Sequence, residues 1–141
     1  LDPKSRQELK RADLTGTNME VIISVIENQP GETIARHIHH GEEAFYVLQG
    51  ATLETADGKQ ITLPAGASAI NPRDVAHAGL KVLGTTPFKY LAVHIVDKGA
   101  KLYDDPPKYR KPTSATSRVR RAAPSSAPAS AGMVLSWVEG Q

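Results

Sequence analysis

Short apolar stretches separated by glycine- and proline-containing turns run through the first hundred residues of the chain. Because alternate side chains of a strand point to opposite faces of a sheet, runs of β-branched residues and of alternating polarity predict β-strands. The predicted strands are residues 19–26, 33–39, 44–48, 51–55, 60–63, 67–71, 77–83 and 88–96. No stretch has the apolar period of an amphipathic helix. Many short strands joined by turns indicate an all-β barrel or sandwich.

Composition divides the chain into three parts. Residues 1–17 are polar and charged, which predicts an N-terminal arm outside the core. Residues 18–105 contain the predicted strands and form one domain. Residues 106–141 are rich in Ser, Ala, Pro and Arg and low in large apolar residues, so they cannot pack a core of their own. We expect this tail to be dispensable for the fold.

The formal net charge of +2 comes from the tail. Residues 112–141 contain three arginines and one glutamate, and basic and acidic residues are equal in number in the remainder. A neutral domain lacks the electrostatic footprint of a nucleic-acid-binding protein, so no nucleic-acid partner is expected. No apolar run approaches the roughly 20 residues that cross a bilayer, so no membrane partner is expected either.

The chain contains no cysteine, which excludes disulfides and thiolate metal ligands. It begins with Leu1 in place of Met, as either a processed mature protein or a trimmed chain does. Both features are compatible with export, and we expect a secreted or periplasmic protein.

Three histidines and one glutamate are spaced so that paired strands would bring them together. His37 and His39 are two residues apart and point to the same face of a strand. Glu43 follows a turn and begins the returning strand, and His77 can close the site from a neighbouring strand. Imidazole and carboxylate together suit Fe, Mn, Ni, Cu or Zn. We predict one metal ion at this site, with Glu43 either a ligand or a catalytic proton acceptor.

These positions resemble the two motifs of the cupin superfamily. The first motif, G-x5-H-x-H-x3–4-E-x6-G, is matched in full by Gly31, His37, His39, Glu43 and Gly50. The second, G-x5-P-x-G-x2-H-x3-N, is matched at Gly66, Pro72 and His77. Asp74 and Lys81 stand where the family usually has Gly and Asn, and neither position is a family metal ligand. The resemblance covers residues 18–100. It implies a jelly-roll β-barrel, a metal site, and often a homodimer through exchanged or paired N-terminal strands.

Other candidate residues lie near the motifs. We expect His40 to lie in a turn, pointing away from the predicted ligands. His94 is expected to be a core residue or to line a pocket near the metal. Phe45, Tyr46 and Tyr90 are expected in the core or the barrel wall, where one of them could position a substrate.

Three classes of function remain open, because the cupin fold hosts many activities. The first is a metal-dependent oxidoreductase that uses O2 or peroxide. The resemblance to compact exported copper cupins makes oxidative cleavage of a polysaccharide such as cellulose the specific expectation, with a small-molecule dioxygenase containing Fe, Mn or Ni as the alternative. Copper is favoured over iron, manganese, nickel and zinc by its affinity for nitrogen-rich sites. The second class is a sugar isomerase or lyase, and the third is a non-enzymatic ligand-binding module. The substrate or ligand is thus a carbohydrate or another small molecule, although an aromatic content of 5% does not favour a broad sugar-stacking surface.

Overall fold

The computed structural model describes residues 3–108, so the predicted dispensability of the tail concerns residues that lie largely outside it. The strands within it are β1 (Arg6–Leu14), β2 (Met19–Asn28), β3 (Thr33–Ile34), β4 (Gly41–Gln49), β5 (Ala51–Thr55), β6 (Gln60–Leu63), β7 (Ser68–Asn71), β8 (Leu80–Val82) and β9 (Phe88–Asp97). In this range there is no helix that could span a membrane. Every predicted strand has a counterpart, although β3 and β8 are much shorter than predicted and β7 begins one residue later.

The strands form two antiparallel sheets that share one core. The five-stranded sheet has the order β1-β2-β9-β4-β7, and the four-stranded sheet has the order β3-β8-β5-β6. From β2 to β9 the chain crosses repeatedly from one sheet to the other, which is the connectivity of a jelly roll. The structure confirms the predicted all-β jelly-roll fold.

The core is apolar at one end and polar at the other. β2 and β9 pair along their whole length and bury every second residue between the sheets. The apolar cluster contains Ile26, Val47, Leu53, Val82, Phe88, Tyr90 and Ala92, which come from both sheets. Farther along the same inner faces the buried side chains include Glu20, Ser24 and His94. Buried polar groups need partners, so this polar end is where the fold supports chemistry.

β1 is a strand that the apolar pattern does not reveal. It pairs with β2 from Arg6 opposite Ile26 to Leu14 opposite Met19. Most of its side chains are exposed, so backbone hydrogen bonds hold it at the sheet edge and its sequence shows no apolar alternation. The predicted N-terminal arm therefore includes an edge strand.

Two positions of the cupin motifs have a direct steric explanation. A Cβ atom on Gly50 would lie 2.5 Å from the carbonyl oxygen of Leu63 and 2.9 Å from the Cα atom of Pro64, so a larger residue cannot fit without moving the backbone. Asp74 has a φ of 58°, the left-handed conformation that glycine adopts most easily and that aspartate tolerates. The turn therefore keeps its geometry although the glycine is absent.

Tyr46 corrects one sequence-based expectation. Glu43, Phe45 and Val47 point into the barrel, so the alternation of β4 directs Tyr46 to the outer face, where it is 50% exposed. Phe45 and Tyr90 contribute to the core or the barrel wall as predicted.

Candidate metal centre

The four predicted ligands converge at the polar end of the core. His37 and His77 are cross-strand neighbours: each donates its backbone N–H to the carbonyl oxygen of the other, at 3.1 and 3.0 Å. Glu43 lies on β4, where its backbone pairs with His94 of β9 on one side and Asn71 of β7 on the other. One donor atom from each of the four ligands lies within 4.8 Å of the others. All four side chains are buried.

Backbone carbonyls orient the three imidazoles. The Nδ1 atoms of the rings donate to the carbonyl oxygens of Ala35 (from His37, 2.7 Å), Leu102 (from His39) and Val75 (from His77, 3.0 Å). A carbonyl oxygen only accepts hydrogen bonds, so each Nδ1 carries the proton. Each ring therefore turns its Nε2 atom toward the same point, as in metal sites whose histidines are held by their other nitrogen.

The distances between these atoms fit one transition-metal ion. The Nε2 atoms of His37 and His39 are 3.1 Å apart, and Glu43 Oε2 lies 3.1 Å from His39 Nε2 and 3.2 Å from His77 Nε2. Lone pairs that face one another at this separation repel unless protons or a cation lie between them. Metal–ligand bonds of about 2.0–2.2 Å place neighbouring ligand atoms roughly 3.0–3.5 Å apart. The buried Nε2 of His77 has no hydrogen-bond partner, which a bound ion would provide.

The protonation states also favour a cation. Burial, together with the neighbouring His77, lowers the pKa of His37 to about 4. Burial alone would raise the pKa of Glu43, but the contacts with His39 and His77 hold it well below its ordinary value. At neutral pH His37 is therefore neutral and Glu43 is ionised, which are the forms that metal ligation needs.

Asn71 and His94 flank the carboxylate. Asn71 Nδ2 donates to Glu43 Oε2 at 3.1 Å, and His94 Nε2 lies 3.8 Å from Glu43 Oε1. His94 is fully buried, and both of its ring nitrogens lack hydrogen-bond partners. Its ring centroid is 4.5 Å from that of His39. Of the two expectations for His94, the structure supports the core residue, because His94 is fully buried beside the site and does not line the cavity next to it.

Sequence reasoning missed a short segment, residues 102–104, that follows the last strand and covers the site. Tyr103 packs its ring against His37 and His39, with centroid distances of 4.8 and 4.9 Å. Its neighbour Asp104 exchanges two backbone hydrogen bonds with Ile38, at 3.0 and 3.1 Å. No spacing rule connects this segment to the motifs. The only signal is an apolar Leu-Tyr pair in a polar stretch after the last strand.

The ring of His40 links residues 102–104 to the turn that precedes His77. Its Nδ1 lies 3.1 Å from Asp74 Oδ1 and its Nε2 lies 3.0 Å from Asp104 Oδ2. These contacts raise the pKa of His40, with Asp104 the larger contributor. The side chain is 30% exposed and lies outside the ligand group, in agreement with the expectation that it points away.

A cavity of about 260 Å³ opens beside the ligands. Its inner end is formed by His37, Glu43, His77 and Asn71. Most of its wall is apolar and includes Ile34, Phe45, Leu53, Leu63, Leu80 and Phe88. Small-molecule sites generally combine an apolar wall with a few convergent polar groups, and this cavity has that composition.

Comparison with known proteins agrees with the fold. The sequence model of the cupin domain matches residues 24–94, half of the chain, including all four predicted ligands. No curated protein matches the sequence significantly.

Among solved structures, an uncharacterised conserved protein with a double-stranded β-helix domain from Klebsiella pneumoniae is 23% identical, with 74% of this chain and 91% of that chain covered and a TM-score of 0.49. The DMSP lyase DddQ from Ruegeria pomeroyi is 20% identical, with 64% and 45% covered and a TM-score of 0.50, so this chain spans less than half of that lyase. The polyketide cyclase RemF from Streptomyces resistomycificus is 20% identical, with 77% and 75% covered and a TM-score of 0.49. At such identities the likeness concerns the fold alone.

With the matched domain, the jelly-roll topology and the converging histidines and glutamate, the chain belongs to the cupin family.

Proposed function

We propose that this cupin is a metal-dependent oxidoreductase that uses O2 or peroxide to oxidise a small, largely apolar molecule in the barrel cavity. One observation carries the proposal: three of the four predicted ligands, His37, Glu43 and His77, form the inner end of an apolar cavity whose wall, within residues 3–108, offers no further carboxylate, lysine or histidine. Chemistry in such a cavity has to come mainly from a bound metal.

The lining residues favour redox chemistry over isomerisation or elimination. An isomerase or lyase needs an acid/base pair beside the substrate. Glu43 is the lone carboxylate that lines the cavity within the described chain, whereas Lys81 and His94 do not line it. Burial raises the pKa of Tyr90 well above its ordinary value, so this phenol stays protonated and is a poor proton acceptor, and the guanidinium of Arg36 offers only hydrogen-bond donors. Proton transfer would therefore depend on Glu43 alone.

The residues around the cavity have two roles, which are to hold the metal and to exclude water. His37, His39, His77 and Glu43 would hold one ion, and a redox-active ion would supply the reduction of O2 or peroxide. Asn71 holds one oxygen of the carboxylate, and the apolar wall keeps bulk water away from the ligands. Copper is the ion we expect from affinity, with iron, manganese, nickel and zinc as alternatives.

Cleavage of cellulose remains a more specific prediction within the same class. A polymer would have to reach ligands that are no more than 9% exposed. The cavity of about 260 Å³ also lies below the ~300–1,000 Å³ typical of sites for drug-sized ligands. Both features favour a small substrate. Export remains an expectation that rests on composition.

The test begins with metal loading. Protein would be loaded separately with Cu, Fe, Mn, Ni and Zn, desalted and analysed for metal content, with His77→Ala as the matched control. Oxygen uptake and peroxide consumption would then be measured with small aryl and alkyl acids, alcohols, soluble sugars and cellulose. We expect one ion per chain and oxidation of a small molecule that His77→Ala loses. Turnover without oxygen or peroxide consumption would instead support an isomerase or lyase, and failure to retain any metal would exclude the proposal.

A further inference from the structure

The cavity beside the candidate metal centre has a defined mouth. Of its lining residues, Arg36 and Ala56 are exposed, so they mark the opening to solvent. Gly79 also lines this opening, where a Cβ atom on it would lie 3.5 Å from Arg36 Cβ. Between the mouth and the ligands the wall is mainly aliphatic and aromatic. A molecule that fills the cavity therefore has one end near the ligands and the other near Arg36.

Arg36 differs from other arginines of the barrel. Arg11 binds Glu8 and Arg73 binds Asp97, each through two hydrogen bonds. Arg36, in contrast, makes no hydrogen bond or ion pair within residues 3–108. Its guanidinium offers five N–H donors in a planar fork that matches the two oxygens of a carboxylate.

The charges of the cavity favour an anion. Among the described lining residues, Arg36 is the lone cation and Glu43 the lone anion. A divalent ion held by three neutral imidazoles and Glu43 leaves one positive charge uncompensated, and Arg36 adds a second. An apolar wall screens such charges less than water does. A neutral ligand would leave both positive charges without compensation.

We propose that the substrate is a small apolar molecule with one carboxylate, and that Arg36 binds this carboxylate at the mouth of the cavity. The apolar body would then lie against Leu53, Leu63 and Phe88, with its far end at the metal ligands. This inference rests on the proposed function, because it names the substrate class of the same site. It makes Arg36 a residue that determines specificity.

The test compares an acid with its neutral counterpart. Isothermal titration calorimetry would measure 3-phenylpropionate and 3-phenylpropan-1-ol on zinc-loaded protein, which binds ligand without redox turnover. The variants are Arg36→Gln, Arg36→Lys and, as a matched control for the loss of one exposed positive charge, Lys59→Gln, which lies outside the cavity lining.

We expect the acid to bind the unmodified protein at least about tenfold more tightly than the alcohol, as for other charge-assisted hydrogen bonds. Arg36→Gln should remove most of this preference, Arg36→Lys should retain part of it, and Lys59→Gln should leave it unchanged. Unaltered binding of the alcohol to Arg36→Gln would show that the cavity is intact. A preference for the acid that persists in Arg36→Gln would overturn the role of Arg36. Equal binding of acid and alcohol, or binding of neither, would overturn the substrate class.

The two proposals can fail separately. Because the calorimetry needs no turnover, Arg36-dependent binding of the acid without oxygen or peroxide consumption would retain this inference and reject the oxidoreductase. Oxygen uptake with a neutral molecule, unchanged in Arg36→Gln, would retain the oxidoreductase and reject this inference.

Discussion

The Nδ1 atom of His39 donates a hydrogen bond to the backbone carbonyl of Leu102, a residue 63 positions farther along the chain. This contact fixes the ring so that Nε2 faces the other predicted ligands. It also makes the candidate metal centre depend on a segment that lies beyond the last strand. Contacts that orient a ligand in this way commonly change metal affinity by about 10–100-fold when they are lost.

Two truncations should separate this segment from the tail. Deletion of residues 112–141 should leave metal affinity and the thermal midpoint close to those of the full chain. Deletion of residues 102–141 should weaken metal binding at least about tenfold, because His39 loses its acceptor and Tyr103 no longer packs on the rings. Metal titration with a competing chelator would measure both. Equal affinity of the two truncated proteins would show that Leu102 and Tyr103 do not support the site.

The ligand set predicts which histidine substitutions abolish metal binding. His37→Ala, His39→Ala and His77→Ala should each lose stoichiometric metal after desalting, because every one removes a converging Nε2 atom. His40→Gln should keep it, because the hydrogen bonds of the His40 ring go to Asp74 and Asp104 and not to the ligands. Metal content and the metal-dependent rise in thermal midpoint provide two readouts. Full metal content in any of the three alanine variants would show that the ligand set is wrong.

Acid should destabilise the metal-free protein. His37 and His94 have pKa values of about 4 in the fold, because burial disfavours their charged forms, and an ordinary value of 6.5 when unfolded. The unfolded chain therefore binds more protons, and the stability that is fully present above pH 6.5 declines as the pH falls toward 4. Each such group contributes about 3 kcal/mol across that range. The contribution of His40 to stability changes with pH in the opposite direction, because its pKa is raised in the fold. Its ion pairs are more exposed, however, and therefore weaker.

Urea unfolding of the metal-free protein at a series of pH values from 4 to 8 would measure this decline. His94→Leu removes one titrating ring, and it also removes two buried nitrogens without partners, so its profile should be flatter. A slope as steep as that of the unmodified protein would show that His94 does not titrate as described.

Asp74 should tolerate glycine better than valine. Glycine relieves a left-handed conformation that costs other residues about 1–2 kcal/mol, and it loses an ion pair with His40 that is worth ~0–1 kcal/mol at this exposure. Asp74→Gly should be neutral or slightly stabilising, whereas Asp74→Val should destabilise. Urea midpoints would measure both changes. A large loss of stability in Asp74→Gly would show that the contacts of the Asp74 side chain matter more than the relief of its left-handed backbone conformation.

A homodimer is expected to cover the outer face of the five-stranded sheet. The outward-facing residues of β2 and β9 are mostly apolar and half-buried, and Ile23 pairs with Val93 at the centre of this face. A contiguous apolar face is typical of a contact between subunits. Light scattering should give twice the chain mass for the unmodified protein and the monomer mass for Val93→Glu. Thr62→Glu, the same change of charge on the other sheet, should remain dimeric. A monomeric unmodified protein would refute the expectation.

The sequence by itself determined the strands of the barrel and the identity of the converging ligands. Residues 19–26 and 88–96 alternate because β2 and β9 bury one face each, and alternation is a local property that a sequence displays directly. His37 and His39 lie on one face for the same reason, and the turn before Glu43 is short enough to be recognised from the spacing alone.

Only the tertiary structure decided what surrounds those ligands. Leu102 and Tyr103 reach the site through the fold and not through any repeat in the chain, and β1 joins its sheet by backbone hydrogen bonds that leave no apolar pattern. Arg36 has no distinctive neighbour in the sequence, and the cavity it borders is lined by residues that are far apart in the chain. Contacts between residues far apart in the chain depend on packing, and periodicity along a strand carries no information about them.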